Sequence, residues 1–192
     1  RYIYNRFRVL IYEHRNPNHP WLTSESISIL DTAIKPTDYI VETGSGRSTA
    51  WFAKRCGKML SIEHNQKWYD KITDETSSME EWDKVTYCYE PDPDGYVKRI
   101  ANLPDKSIDI LLVDGIERDR CAIQGLQKIR SGGILIIDNV NWYLPSNSKA
   151  PNSRSFSDGP LGSVWDDFAD RTKEVRRVWT TSGVSDTCLW FL

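Results

Sequence analysis

Glu42-Thr-Gly44-Ser-Gly46-Arg-Ser-Thr49 follows the short apolar run Tyr39-Ile-Val41 and leads into Ala50-Trp-Phe-Ala-Lys-Arg-Cys56. The run before the glycines reads as a strand, and Ser48–Cys56 reads as a helix that Gly57 is suited to end. Glycines at such a handover let the backbone pass close to a ligand, and the first amides of the helix are left without partners inside it. In a doubly wound sheet this turn lies at the carboxyl edge, where nucleotide-like ligands bind. The next apolar run, Met59-Leu-Ser-Ile-Glu63, ends in an acid 19 residues after Gly44. That is the distance at which a carboxylate meets the ribose hydroxyls of a bound nucleoside.

Outward from this stretch, short apolar runs alternate with amphipathic ones, the mark of parallel βαβ units. Gln66–Ser77 is an expected helix and Val85–Tyr89 an expected strand. The cluster Pro91-Asp-Pro-Asp-Gly95 is read as a turn. Ile108–Asp114 is almost continuously apolar, as for a central strand buried on both faces. Arg118–Ile129 has helical spacing, Ser131-Gly-Gly133 breaks it, and Ile134–Asp138 is a second buried strand. A polar loop, 144–162, is long enough to be a lid. Val164–Arg171 reads as the last helix, and Glu174–Thr180 with Thr187–Leu192 as a closing hairpin. Ahead of the first strand, Trp21–Ala33 is expected to be helical, capped by Thr23 or Ser24. The fold class expected is α/β with a doubly wound, Rossmann-like sheet. It forms one domain over 1–192: a cap segment and helix in 1–36, and the core in 37–192.

The 192 residues carry 25 Lys+Arg against 27 Asp+Glu, a net charge of −2. That balance excludes the basic stripe of a nucleic-acid binder and a polybasic membrane anchor. With 39% hydrophobic and 27% charged residues the chain is globular, and its apolar runs are too short to span a bilayer. Cys56, Cys88, Cys121 and Cys188 are scattered and, with three histidines, form no zinc-ligand spacing, so free thiols are expected. The first twelve residues contain no clean apolar core with a small-residue cleavage site, and a cytoplasmic location is expected. Monomer and homodimer both stay open.

Two ligands suit the glycine turn. A dinucleotide usually asks for a third glycine where this chain has Thr49, and Glu42 would repel a pyrophosphate. A ligand carrying an ammonium and a sulfonium suits Glu42, which favours S-adenosylmethionine over NAD.

On these residues the chain resembles the class I S-adenosylmethionine-dependent methyltransferases. The resemblance runs from Pro20 to Asp138 through Glu42–Thr49, Ser61-Ile-Glu63-His64, Leu112-Val-Asp114-Gly115 and Gly132-Gly-Ile-Leu-Ile-Ile-Asp138-Asn139. It is nearest to a small bacterial branch with E-x-G-S-G-R-S-T followed by a Trp-Phe-Ala helix. It implies a seven-stranded sheet, mostly parallel, with an antiparallel last strand. It implies a cofactor site of Glu42, Thr43, Gly44, Ser45, Gly46, Ser48, Thr49, Glu63, His64 and Asp114. Glu42 and the glycine turn take the methionine part and Glu63 the ribose diol, while His64 and Cys88–Glu90 flank the adenine.

A narrower resemblance is to the metal-dependent catechol-type O-methyltransferases, which carry an Asp after the fourth strand and Asp-Asn after the fifth. Asp114, Asp138 and Asn139 match, and would hold Mg²⁺ or Ca²⁺ to lower a hydroxyl's pKa. Glu117 stands where that family keeps a lysine base. Asp114, Glu117 and His19 are the candidate catalytic groups. Arg118, Asn139, Trp142 and Tyr143 are candidate acceptor contacts, with Arg154 in the loop beside them. Asp114 and Asp138 also read as helix or turn caps, and Trp51, Trp68 and Trp165 as core. The expected function is methyl transfer to a hydroxyl oxygen of a small-molecule acceptor. The alternatives are an NAD(P)-dependent oxidoreductase, which lacks a third glycine and a Tyr-x-x-x-Lys pair, and a silent adenosyl-binding module.

Overall fold

The computed structural model describes residues 2–192. Seven strands form one sheet: β1 (Tyr39–Thr43), β2 (Lys58–Glu63), β3 (Val85–Tyr89), β4 (Ile108–Val113), β5 (Ile129–Asp138), β6 (Arg177–Thr181) and β7 (Asp186–Phe191). Their order is β3-β2-β1-β4-β5-β7-β6. The pairs from β3 across to β5 are parallel, and β7 runs antiparallel between β5 and β6. The helices are α1 (Tyr2–Arg15), α2 (Ser24–Ala33), α3 (Arg47–Ala53), α4 (Gln66–Thr76), α5 (Pro93–Ala101), α6 (Arg118–Lys128) and α7 (Ser163–Arg171).

The continuous apolar runs of β4 and β5 are explained by helices on both faces of the sheet. Successive side chains alternate between two cores. Ile40, Ile110, Leu112, Ile134 and Ile136 pack with Leu30, Trp51 and Phe52 from α2 and α3. Val41, Leu111, Val113, Leu135 and Ile137 pack with Tyr96, Ile100, Cys121, Ala122, Trp165 and Phe168 from α5, α6 and α7. The chain leaves β1 toward β2 on one side and returns to β4 on the other, so a crevice opens where their carboxyl ends part. The ladder runs on past the strands there: Gly44 N donates to Ile62 O, and Asp114 N to Thr43 O, each at 2.9 Å. Glu42–Gly44, Glu63 and Asp114 are thereby brought to one edge.

Several local expectations are corrected. Pro91–Gly95 does not simply turn the chain: Asp92 accepts from Gly95 N at 2.7 Å and Pro93 opens α5. The same Asp-Pro-Asp-Gly chemistry serves a turn or a helix start. Here burial of Tyr96, Val97 and Ile100 selects the helix. Ser131-Gly-Gly133 does not end an element but lies inside β5, at a register shift against β4. A Cβ at Gly133 would come within 2.7 Å of Asp109 O. Helix α3 has 7 residues and stops at Ala53, α2 begins at Ser24, and β6 begins at Arg177 rather than Glu174. The N-terminal segment is the helix α1. Among the described residues no helix is long and apolar enough to cross a membrane, and all four cysteines are free thiols.

Candidate active site

At the end of β1, Glu42 is fully buried and its Oε2 accepts from Thr49 Oγ1 and Ser61 Oγ, each at 2.7 Å. Thr49 Oγ1 in turn accepts from Gly46 N at 3.0 Å. Thr49 therefore ties the glycine turn to the strand carboxylate, which is the physical reason for a hydroxyl where dinucleotide folds keep a glycine. Glu42 Oε1 has no hydrogen-bond partner among the described residues. Burial pushes the Glu42 carboxyl up to about 7, against the hydroxyls of Ser48, Thr49 and Ser61 that hold it down.

Gly44 sits at φ +85°, and a Cβ there would lie 2.7 Å from Gly115 N. Its glycine is demanded by backbone packing against the end of β4. Gly46 differs: a Cβ would meet nothing nearer than Ser48 Oγ at 3.9 Å, so the space over this residue is open. Glu63 binds the turn from the other side. Oε2 accepts from Ser45 N and Ser45 Oγ at 2.9 Å, and Oε1 from His64 N at 2.9 Å and Asn65 N at 2.8 Å. A carboxylate has about four acceptor sites, so a ribose hydroxyl reaching Glu63 has to displace one of these donors. Ser45 Oγ is the one with another partner at hand, Tyr87 OH at 2.7 Å. His64 Nδ1 lies 3.1 Å from Glu63 Oε1, off the line of a hydrogen bond, and its ring meets Tyr96 edge to face. The cofactor residues expected from the sequence thus converge on one edge. The unpartnered Glu42 Oε1 and the open face of Gly46 suit a ligand with a cationic amino group.

One strand over, Asp114 follows β4, and Asp138 ends β5 with Asn139 next to it. Asp138 is 4% exposed, and Thr187 Oγ1 donates to its Oδ1 at 2.6 Å. Burial raises both carboxyls, and the charge of Asp114 raises Asp138 further. The rise is firmer for Asp138, because the Asp114 side chain keeps 31% of its exposure and pairs with Arg118 at 2.9 Å. The expected metal set is not assembled as ligands: the Arg118 guanidinium holds Asp114 Oδ1, Asn139 Oδ1 and the backbone carbonyls of Asp114 and Asp138, while the Asp138 carboxylate is bonded to Thr187. A divalent ion needs six or more oxygens about 2.0–2.6 Å away. With a cation bonded to these oxygens, Mg²⁺ or Ca²⁺ does not fit the residues present. Among the described residues no three His, Cys, Asp or Glu side chains gather into a metal cluster either.

A cavity of about 630 Å³ opens beside this edge. Asp114, Asp138 and Asn139 line it, as do Pro20–Glu25 and the β6–β7 turn, and α1 covers it with Arg6, Arg8, Val9, Ile11, Tyr12, Glu13 and Arg15. Of the three candidate catalytic residues, only Asp114 lines it. Glu117 pairs with Arg120 at 3.0 Å, and His19 is bonded to Tyr12 OH at 2.9 Å, behind the wall. Tyr143 stacks on Trp165, and Trp142 does not line the cavity. Arg154 binds Gly159 O and Asp158 O within its own loop. The loop 144–162 contributes nothing to this cavity, so the cover over it is α1. Trp51 and Trp165 are core, but Trp68 is half-buried and donates from Nε1 to Ser45 O at 2.5 Å.

No family model and no curated protein matches the chain. Solved structures do. A methyltransferase from Geobacter sulfurreducens is 15% identical over 98% of this chain and 88% of its own, with a TM-score of 0.59. The O-methyltransferase TomG from Streptomyces achromogenes, involved in tomaymycin synthesis and solved with S-adenosylmethionine, is 14% identical over 93% and 85%, TM-score 0.60. A SAM-dependent O-methyltransferase from Thermotoga maritima is 14% identical over 95% and 70%, TM-score 0.56. This is the class I methyltransferase fold. Within the methyltransferase fold several site residues escaped sequence reading: Tyr12, Trp68, Tyr87, Thr187 and the arginines of α1. Only Arg6, Arg8 and Arg15 left a signal. They share α1 with an exposed apolar stripe of Ile3, Phe7 and Leu10, the reverse of a helix packed on a core.

Proposed function

We propose that the protein is an S-adenosylmethionine-dependent methyltransferase acting on an oxygen of a small, polar acceptor. The observation that carries the proposal is Glu42: a fully buried carboxylate with one oxygen unpartnered, at the switch point of the sheet, beneath a glycine turn with open space over Gly46. An unsatisfied buried acceptor costs about 1–3 kcal/mol, which an ammonium donor offsets. Glu42 would take the amino group of the methionine part, Glu63 the ribose after Ser45 Oγ gives way, and His64 the edge of the adenine. Bound S-adenosylmethionine supplies a methyl on a cationic sulfonium whose charge disappears on transfer, so no oxyanion cradle is required.

The chain's own residues then hold the acceptor in line and take up its proton. Asp114 is the carboxylate facing the cavity, with Oδ1 held by Arg118, and it accepts the hydroxyl proton. Helix α1 lines one side of the cavity with Arg6, Arg8, Glu13 and Arg15, a lining that suits a polar acceptor better than a lipid.

Calorimetric titration with S-adenosylmethionine, S-adenosylhomocysteine and NAD(H), with and without Mg²⁺, tests the proposal. Binding of the adenosyl ligands, lost in Glu42→Ala, is the expected result. Binding of NAD(H) alone returns the chain to the oxidoreductases, and adenosyl binding without turnover of any hydroxyl acceptor leaves a silent module.

A further inference from the structure

Arg118 opens α6, and Glu117 before it is left-handed at φ +50°, which swings the first helical residue back over the end of β4. A guanidinium has five N–H donors, and here four of them donate hydrogen bonds within the protein while the fork also pairs with a carboxylate. Nε donates to Gly115 O at 2.9 Å. Nη1 donates to Asp138 O at 2.6 Å and Asn139 Oδ1 at 3.1 Å. Nη2 donates to Asp114 O at 2.7 Å and lies 2.9 Å from Asp114 Oδ1. Asn139 is also left-handed, at φ +50°, and its Nδ2 donates to Ser185 Oγ at 2.7 Å, which leaves Oδ1 for the arginine. The side chain is 13% exposed and lies 5.8 Å from the Tyr143 ring.

We propose that the Arg118 guanidinium is the resident cation of the acceptor site. It takes the place of a divalent metal between the ends of β4 and β5 and holds Asp114 toward the cavity, so the protein works without an added ion. Two consequences distinguish this from an ordinary surface ion pair. With four donors bonded within the protein, Nη2 against Asp114 Oδ1 and no part in the cavity lining, Arg118 is a positioning residue and not a substrate clamp. The oxygens it holds come from two strands, so they form a latent cation site that the arginine keeps closed. The inference rests on the proposed methyltransferase reading for what the site does, but not for whether a cation occupies it.

The test uses Mn²⁺ alone as probe, followed by electron paramagnetic resonance on the intact chain, with no turnover needed. The wild type is expected to leave Mn²⁺ free. Arg118→Met, which keeps the aliphatic stem, is expected to bind Mn²⁺ about 10-fold or more tightly than the wild type, since a unit charge about 4 Å away no longer opposes it. That binding is expected to vanish when Asp114→Asn is added. Wild-type binding of Mn²⁺ that Asp114→Asn abolishes overturns the proposal, and so does a folded Arg118→Met that binds none. If Arg118→Met does not fold, Arg118→Lys decides. It keeps the charge but lacks the fork, so a lower melting temperature with Mn²⁺ still free supports the proposal, and an unchanged melting temperature overturns it. Calorimetry with S-adenosylhomocysteine on the same wild-type sample reports separately on the methyltransferase reading.

Discussion

Gly44 and Gly46 belong to one turn, yet their substitution by alanine should separate fold from ligand. At Gly44 the backbone is left-handed, φ +85°, which costs an L residue about 1–2 kcal/mol. The new Cβ would also stand 2.7 Å from Gly115 N, 2.8 Å from Asp114 C and 2.8 Å from Gly115 Cα. These are backbone atoms at the β1–β4 seam and cannot swing aside, so overpacking adds about 1–3 kcal/mol. Together Gly44→Ala should cost about 2–5 kcal/mol, a fall in melting temperature of roughly 5–20 °C for a chain of this length. Gly46 lies at φ 175°, extended backbone open to any residue, with Ser48 Oγ at 3.9 Å the nearest atom to a new Cβ. Gly46→Ala should leave stability within about 0.5 kcal/mol. A ligand lying over the turn would meet that methyl, and a clash of about 1–3 kcal/mol weakens S-adenosylhomocysteine roughly 5- to 150-fold. Thermal melts and calorimetry of the two variants check both halves. Unchanged affinity in Gly46→Ala refutes a ligand over Gly46, and an unchanged melt in Gly44→Ala refutes the close backbone approach.

Glu42, raised to about 7 from 4.5, holds its proton in the folded state after the unfolded chain has released it. Its contribution to stability is therefore present below pH 4.5 and lost as pH rises to 7, by about 3 kcal/mol. Urea melts of wild type and Glu42→Gln at pH 5 and pH 8 should show the variant gaining on the wild type at the higher pH. Thr187→Val removes the hydroxyl on Asp138 Oδ1 and the acceptor of Thr23 N at 3.3 Å, and a loss of about 1–3 kcal/mol is expected in denaturant titration. Once an acceptor is in hand, Asp114→Asn should lower kcat about 100-fold or more. Glu117→Gln and His19→Ala, whose side chains turn away from the cavity, should stay within about 10-fold; an equal loss in all three would remove Asp114 from its assigned role.

What could be read from the chain by itself was whatever is encoded within one element or one turn. The alternation of apolar runs announced a doubly wound sheet, because β4 and β5 are buried on both faces and cannot spare polar residues. Glu42, Gly44, Gly46, Thr49 and Glu63 were legible because they sit on the turn or strand end that presents them. Helix α5 was missed because Asp92 and Pro93 serve a turn as well as a cap, and only the buried partners of Tyr96 and Ile100 decide. A cap segment was expected within 1–36 but not its helical form, because α1 exposes Ile3, Phe7 and Leu10 and lines the cavity with a mixture of apolar and charged side chains rather than with one apolar stripe. The Arg118 site belongs wholly to the tertiary structure. Asp114 is one helical turn away in sequence, but Asp138 and Asn139 are 20 and 21 residues on. A resemblance to metal-dependent enzymes marked the three as possible metal ligands, and pairing of β4 with β5 put an arginine among them instead. Hydrophobic periodicity is a property of neighbours in the chain; which oxygens converge on which cation depends on strand order, and that is settled only when the sheet closes.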